Sequence, residues 1–244
     1  MKKVTYILGA AMLMLLPSCR FIKVSDERLK DFDDKIEVFQ GSSEKITASD
    51  NYITREDPTG EFHAITSNLP GEMIYVPGEC GIKIYGPDNI VEKVTIDNQN
   101  GRLEIKSGVQ RIRNLKDGFT ITVSSPVLEG ITINGAGTFK AKEGITALNF
   151  KATLNGAGDL IISGLQANEA EVIVNGAADA DINDLDCDLL KIDIFGAGDA
   201  KLSGKAGRAN MSITGAGDID ARKLECADLN TSVRGLGSVK KPKS

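Results

Sequence analysis

The sequence predicts an all-β protein, a single-stranded right-handed parallel β-helix with coils of about 20 residues and some antiparallel pairing in its N-terminal half. Three observations carry this. A Gly-Ala-Gly-type motif recurs six times, with first glycines at Gly135, Gly156, Gly176, Gly196, Gly215 and Gly235, spaced by 21, 20, 20, 19 and 20 residues. Within each repeat, apolar residues alternate with polar ones, as in Ala170-Val172-Val174 and Leu190-Ile192-Ile194, which is the period of a strand. The composition is rich in glycine (26) and poor in aromatics (5%), with no tryptophan, which suits a narrow stacked interior.

Residues 1–18 read as a lipoprotein signal peptide. Lys2 and Lys3 precede an apolar run from Val4 to Leu16, too short for a bilayer of about 30 Å. The run ends in Leu16-Pro17-Ser18-Cys19, which resembles a lipobox and makes Cys19 the expected lipidated residue and membrane anchor. Loss of residues 1–18 removes two lysines and no acid, so the formal charge moves from −5 to −7. Such an acidic chain is no match for a phosphate backbone, and no nucleic-acid partner is expected. Residues 19–44 form a charged tether in which Leu29, Phe32, Ile36 and Phe39 are spaced for one short helix, with Ser25 as a cap.

Residues 45–244 are expected to form one continuous β-solenoid domain. In its first half, runs such as Ile82-Lys83-Ile84-Tyr85 and Leu103-Glu104-Ile105 are strands between Gly/Pro/Asn turns, and Asn100-Gly101 suits a hairpin. In 131–240, about twenty residues is too short for a strand, a helix and their turns, so each repeat is one coil of short strands. Coils stacked about 4.8 Å apart align equivalent residues. Leu154, Val174, Ile194, Ile213 and Val233 form one inward column, and Leu160, Ala180, Ala200, Ile219 and Val239 another. The corner glycines supply positive φ or close approach. Ala178 in place of a second glycine marks that position as crowded and free of a positive-φ requirement. Cys187 and Cys226 share a column two coils apart with Ala206 between, about 9.6 Å and beyond bridging distance, so both are expected to be reduced core residues.

The succession of Phe62 with Ile65, the Ile82–Tyr85 strand, Gly101-Arg102-Leu103-Glu104-Ile105, Val127-Leu128 leading into Ile131-Thr132-Ile133-Asn134-Gly135-Ala136-Gly137, and then the Gly-Ala-Gly-Asp repeats resembles the GIN domain, the auto-transporter adhesin head domain of Gram-negative surface lipoproteins. The resemblance covers roughly residues 60–240. It implies a right-handed β-helical domain outside the cytoplasm with adhesion as its function, and it carries over no catalytic residues.

One histidine, His63, leaves little room for His-based catalysis or metal binding, and no catalytic residue is assigned. Asp159, Asp179, Asp199 and Asp218 follow the corner glycines and should form an acidic ladder. Turn-forming aspartates are the favoured reading, with a Ca²⁺ ladder or a carboxylate cluster as alternatives. No other cofactor is expected. Asn134, Asn155, Asn175 and Thr214 precede the corner and suit a hydrogen-bonded ladder, which Phe195 interrupts as a candidate surface contact. Repeats supply area where nothing supplies chemistry, so the expected function is a non-enzymatic, adhesin-like binding module of the cell envelope. It would be anchored to the outer membrane, periplasmic or surface-exposed, and present an extended face to a glycan or protein partner. The alternatives are a polysaccharide-active β-helix enzyme and a structural envelope protein. Lys240, Lys241, Pro242 and Lys243 argue against end-to-end growth.

Overall fold

The computed structural model describes residues 44–113 and 119–242. The expected signal peptide, the expected lipidation site Cys19 and the expected tether helix lie outside them. The N-terminal half contains β1 (Glu44–Thr47), β2 (Tyr52–Asp57), β3 (Ala64–Ser67), β4 (Gly71–Pro77), β5 (Gly81–Pro87), a one-turn helix α1 (Asp88–Val91), β6 (Val94–Gln99), β7 (Arg102–Ser107), β8 (Val109–Arg113) and β9 (Thr120–Ser125). The repeats supply β10 (Gly130–Gly135), β11 (Gly137–Ala141), β12 (Ile145–Thr146), β13 (Asn149–Gly156), β14 (Asp159–Gly176), β15 (Asp179–Gly196), β16 (Ala200–Gly215), β17 (Asp218–Gly235) and β18 (Ser238–Lys240).

The repeats stack as parallel coils, a β-solenoid of about six turns. β13, β14, β15, β16 and β17 pair in sequence, with each corner glycine beside its counterpart. Both inward columns are in register, and all members are buried except those of the last turn, where Val233 is 42% exposed and Val239 half-buried. The long strands bend at a second corner, where Gly164, Asp184 and Gly204 have positive φ. The 19-residue repeat loses its residue there: two residues, Asn183 and Asp184, face the single Ser203 between aligned Ile182/Leu202 and Leu185/Gly204. The deletion leaves the two long columns in register, while Gly204 stands where the neighbouring coils place the buried Leu185 and Leu224.

Below the repeats, chain order and stack order part. β10 lies between β13 and β3, and β3 pairs with β7; on the adjoining limb β11 lies between β14 and β4, and β4 pairs with β9. The coil of residues 64–77 is thus inserted between residues 102–125 and residues 130–141. Antiparallel pairs β6–β7, β5–β9 and β2–β5 then close this end of the sheet, as the alternating first half predicts. Asn100 (φ 55) and Gly101 (φ 76) make the expected tight hairpin turn between Gln99 and Arg102. Residues Ser43–Ser244 fall in one compact unit.

Aliphatic side chains fill the interior, joined by Phe139 and Phe150 where the repeats begin. Phe139 stacks on Tyr75 with ring centroids 6.4 Å apart, and the Tyr75 hydroxyl donates to the Ser125 carbonyl at 2.9 Å, so its burial leaves no polar group unpaired. The cysteine arithmetic holds: Ala206 pairs with Cys187 on one side and Cys226 on the other, and both thiols are free. Cys187 is buried, which pushes its thiol up to about 11 and makes it inert, whereas Cys226, on the last coil, is only half-buried.

Candidate functional site

One sheet face runs the length of the solenoid, built from β7, β3, β10, β13 and the C-terminal limbs of β14 to β17. Inward residues of these strands are mostly aliphatic, with Phe150 among them, so alternation sends polar residues outward into columns. One outward column reads Arg102, Ala64, Gly130, Lys151, Glu171, Lys191, Asn210, Asn230. Ala64 and Gly130 have no long side chain to raise, so the face sinks there into a groove of about 600 Å³. Its rim is charged with both signs: His63 and Arg102 at one end, Glu129 at the side, and Lys151, Glu169 and Glu171 at the other. Thr132 and Thr153 add hydroxyls. Lys151 is paired with Glu171 at 2.7 Å, Lys191 with Glu169 at 2.5 Å, and His63 Nε2 lies 3.9 Å from Glu129. The hydrogen bond that Lys191 donates to Glu169, with help from neighbouring acids, raises the ammonium's pKa above its ordinary value. Exposed pairs of this kind contribute little to stability.

Beside the groove runs the expected amide ladder. Asn175 donates to Asn155 at 2.8 Å, Asn155 to Asn134 at 2.9 Å, and Asn134 to Asn68 at 2.7 Å. Asn68, from the inserted coil, is a member that the repeat does not reveal. The ladder stops at Phe195, which is aligned with Asn175 and Thr214 and is 47% exposed, on the surface where the sequence places it. Phe195→Asn should add a rung by donating to the open Asn175 oxygen and stabilise the fold by about 1 kcal/mol. A shift of the thermal midpoint to higher temperature checks this.

The four aspartates follow the glycines of this same corner, in the order expected, and none of them lines the groove. The Asp179 carboxylate accepts the Asp199 N–H at 2.9 Å, Asp199 that of Asp218 at 2.8 Å, and Asp218 both the N–H and hydroxyl of Ser238 at 2.7 and 2.8 Å. These bonds to Ser238 hold the Asp218 carboxyl below its usual range. Each carboxylate here knits its turn to the next coil. At Ala178 the pattern changes: the Asp179 N–H binds the Gly158 carbonyl at 3.2 Å, and Asp159 accepts instead from the Thr138 hydroxyl at 3.4 Å. Among the described residues, no three His, Cys, Asp or Glu side chains converge as metal ligands.

Sequence reasoning finds neither the groove nor most of its rim, because Ala64 and Gly130, 66 residues apart, become neighbours only through the inserted coil. The Lys151, Glu171, Lys191 column was readable from the twenty-residue period.

No curated protein sequence matches the chain. Solved structures share its fold. A putative adhesin from Bacteroides fragilis is 23% identical with a TM-score of 0.65, covering 80% of this chain and 99% of the other. Putative adhesins from Parabacteroides merdae (19% identity, TM-score 0.71, 82% and 99% covered) and Parabacteroides distasonis (18%, 0.73, 80% and 84%) are similarly arranged. The family model described as "Putative auto-transporter adhesin, head GIN domain" matches residues 61–183 and 153–241. With the solenoid, its glycine corners and both matches spanning nearly all of the repeats and the inserted coil, the chain belongs to this GIN-domain family.

Proposed function

We propose that the chain is a non-enzymatic, adhesin-like binding module of the cell envelope, held at the outer membrane through Cys19, and that the groove over Ala64 and Gly130 receives a glycan. Family membership supports adhesion, and the single observation that carries the site is this recess, where donors and acceptors of both charges surround a floor free of long side chains. Paired charges, threonine hydroxyls and the adjoining amide ladder offer many oriented hydrogen-bond partners, which suits a hydroxyl-rich ligand.

Gly130→Gln tests the reading with little cost to the fold, because a β-carbon at Gly130 meets nothing closer than the Lys151 carbonyl oxygen at 3.4 Å. The longer side chain fills the recess. On a glycan array, the full chain should give saturable binding that Gly130→Gln weakens at least tenfold, about 1.4 kcal/mol, with an unchanged thermal midpoint. Binding indifferent to Gly130→Gln removes the groove as the site, and new reducing or unsaturated ends released from the glycan would make the protein an enzyme.

A further inference from the structure

We infer that the open C-terminal end of the solenoid is a two-fold interface with a second copy of this chain. The two ends differ. Antiparallel strands and α1 close the N-terminal end, while at the other β17 is paired along its length with β16 only; β18 covers no more than Asp218–Asp220. No described residue pairs with the outer edge of residues 228–235. Core side chains surface there: Val233 is 42% exposed and Leu236 93%, with Leu229 and Cys226 half-buried. An unpaired, partly apolar strand edge is a template for another strand.

The chemistry of this edge selects its occupant. Asp228-Leu229-Asn230-Thr231-Ser232-Val233-Arg234 reads alike in both directions: charged, apolar, polar, Thr231, polar, apolar, oppositely charged. An antiparallel pairing about a two-fold axis at Thr231 sets Asp228 opposite Arg234, Leu229 opposite Val233 and Asn230 opposite Ser232, each twice. Directly opposed residues of an antiparallel pair share a face. Leu229, Thr231 and Val233 therefore continue the interior into that of the partner, and the charged and polar pairs stay outside, where Asp228, Asn230, Ser232 and Arg234 are already exposed. Asp228 also accepts from Arg208 at 3.1 Å, so each carboxylate would stand between two guanidinium groups. A contact of like with like closes at two copies. The edge strands at the other end, β2 and β6, do not carry this palindromic run, and Lys240, Lys241 and Pro242 flank β18 against further strands, so the assembly is a dimer rather than a fibre.

Sedimentation equilibrium of the full chain in density-matched detergent tests this. The wild type should show twice the mass of one chain at micromolar concentration. Arg234→Asp, which sets carboxylate against carboxylate at an exposed position, should weaken association at least tenfold with unchanged circular dichroism of the folded chain. Combining it with Asp228→Arg should restore the dimer. A one-chain mass for the wild type, as when the chain's own residues 1–43 cover the edge, overturns the inference, as does a dimer insensitive to Arg234→Asp or one that the double exchange fails to restore.

Discussion

Gly196→Ala is expected to cost about 3–5 kcal/mol of stability, while the same substitution at Gly135 costs about 1–2 kcal/mol. Both glycines have positive φ, +138° and +107°. A side chain at either position bears the strain of that backbone conformation, of the order of 1–3 kcal/mol. They differ in what lies beneath. A β-carbon at Gly196 would overlap the carbonyl oxygen of Gly176 in the preceding coil, whereas at Gly135 it meets nothing within 4 Å. The excess at Gly196 is the cost of prising two coils apart, comparable to forcing an extra methyl group into a packed core. Denaturant midpoints for the two variants separate the contributions. Equal losses would mean that conformation alone, and not coil-on-coil contact, dictates glycine at this corner.

The second glycine of the motif isolates the other half of the same physics. Gly158, Gly198, Gly217 and Gly237 do not have positive φ, yet a β-carbon at any of them would overlap a carbonyl oxygen of the coil below. Crowding alone selects glycine here, as Ala178 implies from sequence. Ala178 is accommodated in a coil whose Asp179 N–H binds the Gly158 carbonyl in place of an aspartate side chain, so the exception to the motif coincides with an exception in the hydrogen bonds that tie coil to coil.

The repeats were readable because a β-solenoid converts sequence period directly into spatial contact: residues 20 apart are neighbours, and the columns of Leu154, Leu160, Cys187 and Asn155 follow from counting. Counting fails below Gly130. Asn134 bonds to Asn68 and Ile131 pairs with Ile65, separations of 66 residues that no repeat announces, because the coil of residues 64–77 enters the stack out of chain order. The groove inherits that opacity. Its defining feature is two small residues from distant segments side by side, and neither Ala64 nor Gly130 is unusual in its own stretch of sequence. Alternation and the Asn100-Gly101 turn still indicated antiparallel pairing in this half, since those signals are local.

Phe139→Ala should lower stability by about 3–5 kcal/mol, the range for emptying a fully buried aromatic site, and should also divide the unfolding transition. Phe139 is wholly buried, stacked on Tyr75, and flanked in its column by Met73 of the inserted coil and Leu160 of the next repeat. It therefore sits at the seam between coils stacked out of order and coils stacked in order. Stability in a stacked array is the sum of what each coil contributes and what each interface couples, so a cavity at the seam weakens one coupling and leaves the coils beyond it intact. The same loss of volume within the repeats, as in Ile213→Ala, should lower stability without such a division, because Ile213 lies between coils of like construction. Amide hydrogen exchange distinguishes the two: in Phe139→Ala, residues 64–77 should lose protection well before residues 169–215. Uniform loss across both would show that the inserted coil and the repeats act as one cooperative body. The rim of the groove would then be held by the entire stack and not by the packing at this one ring.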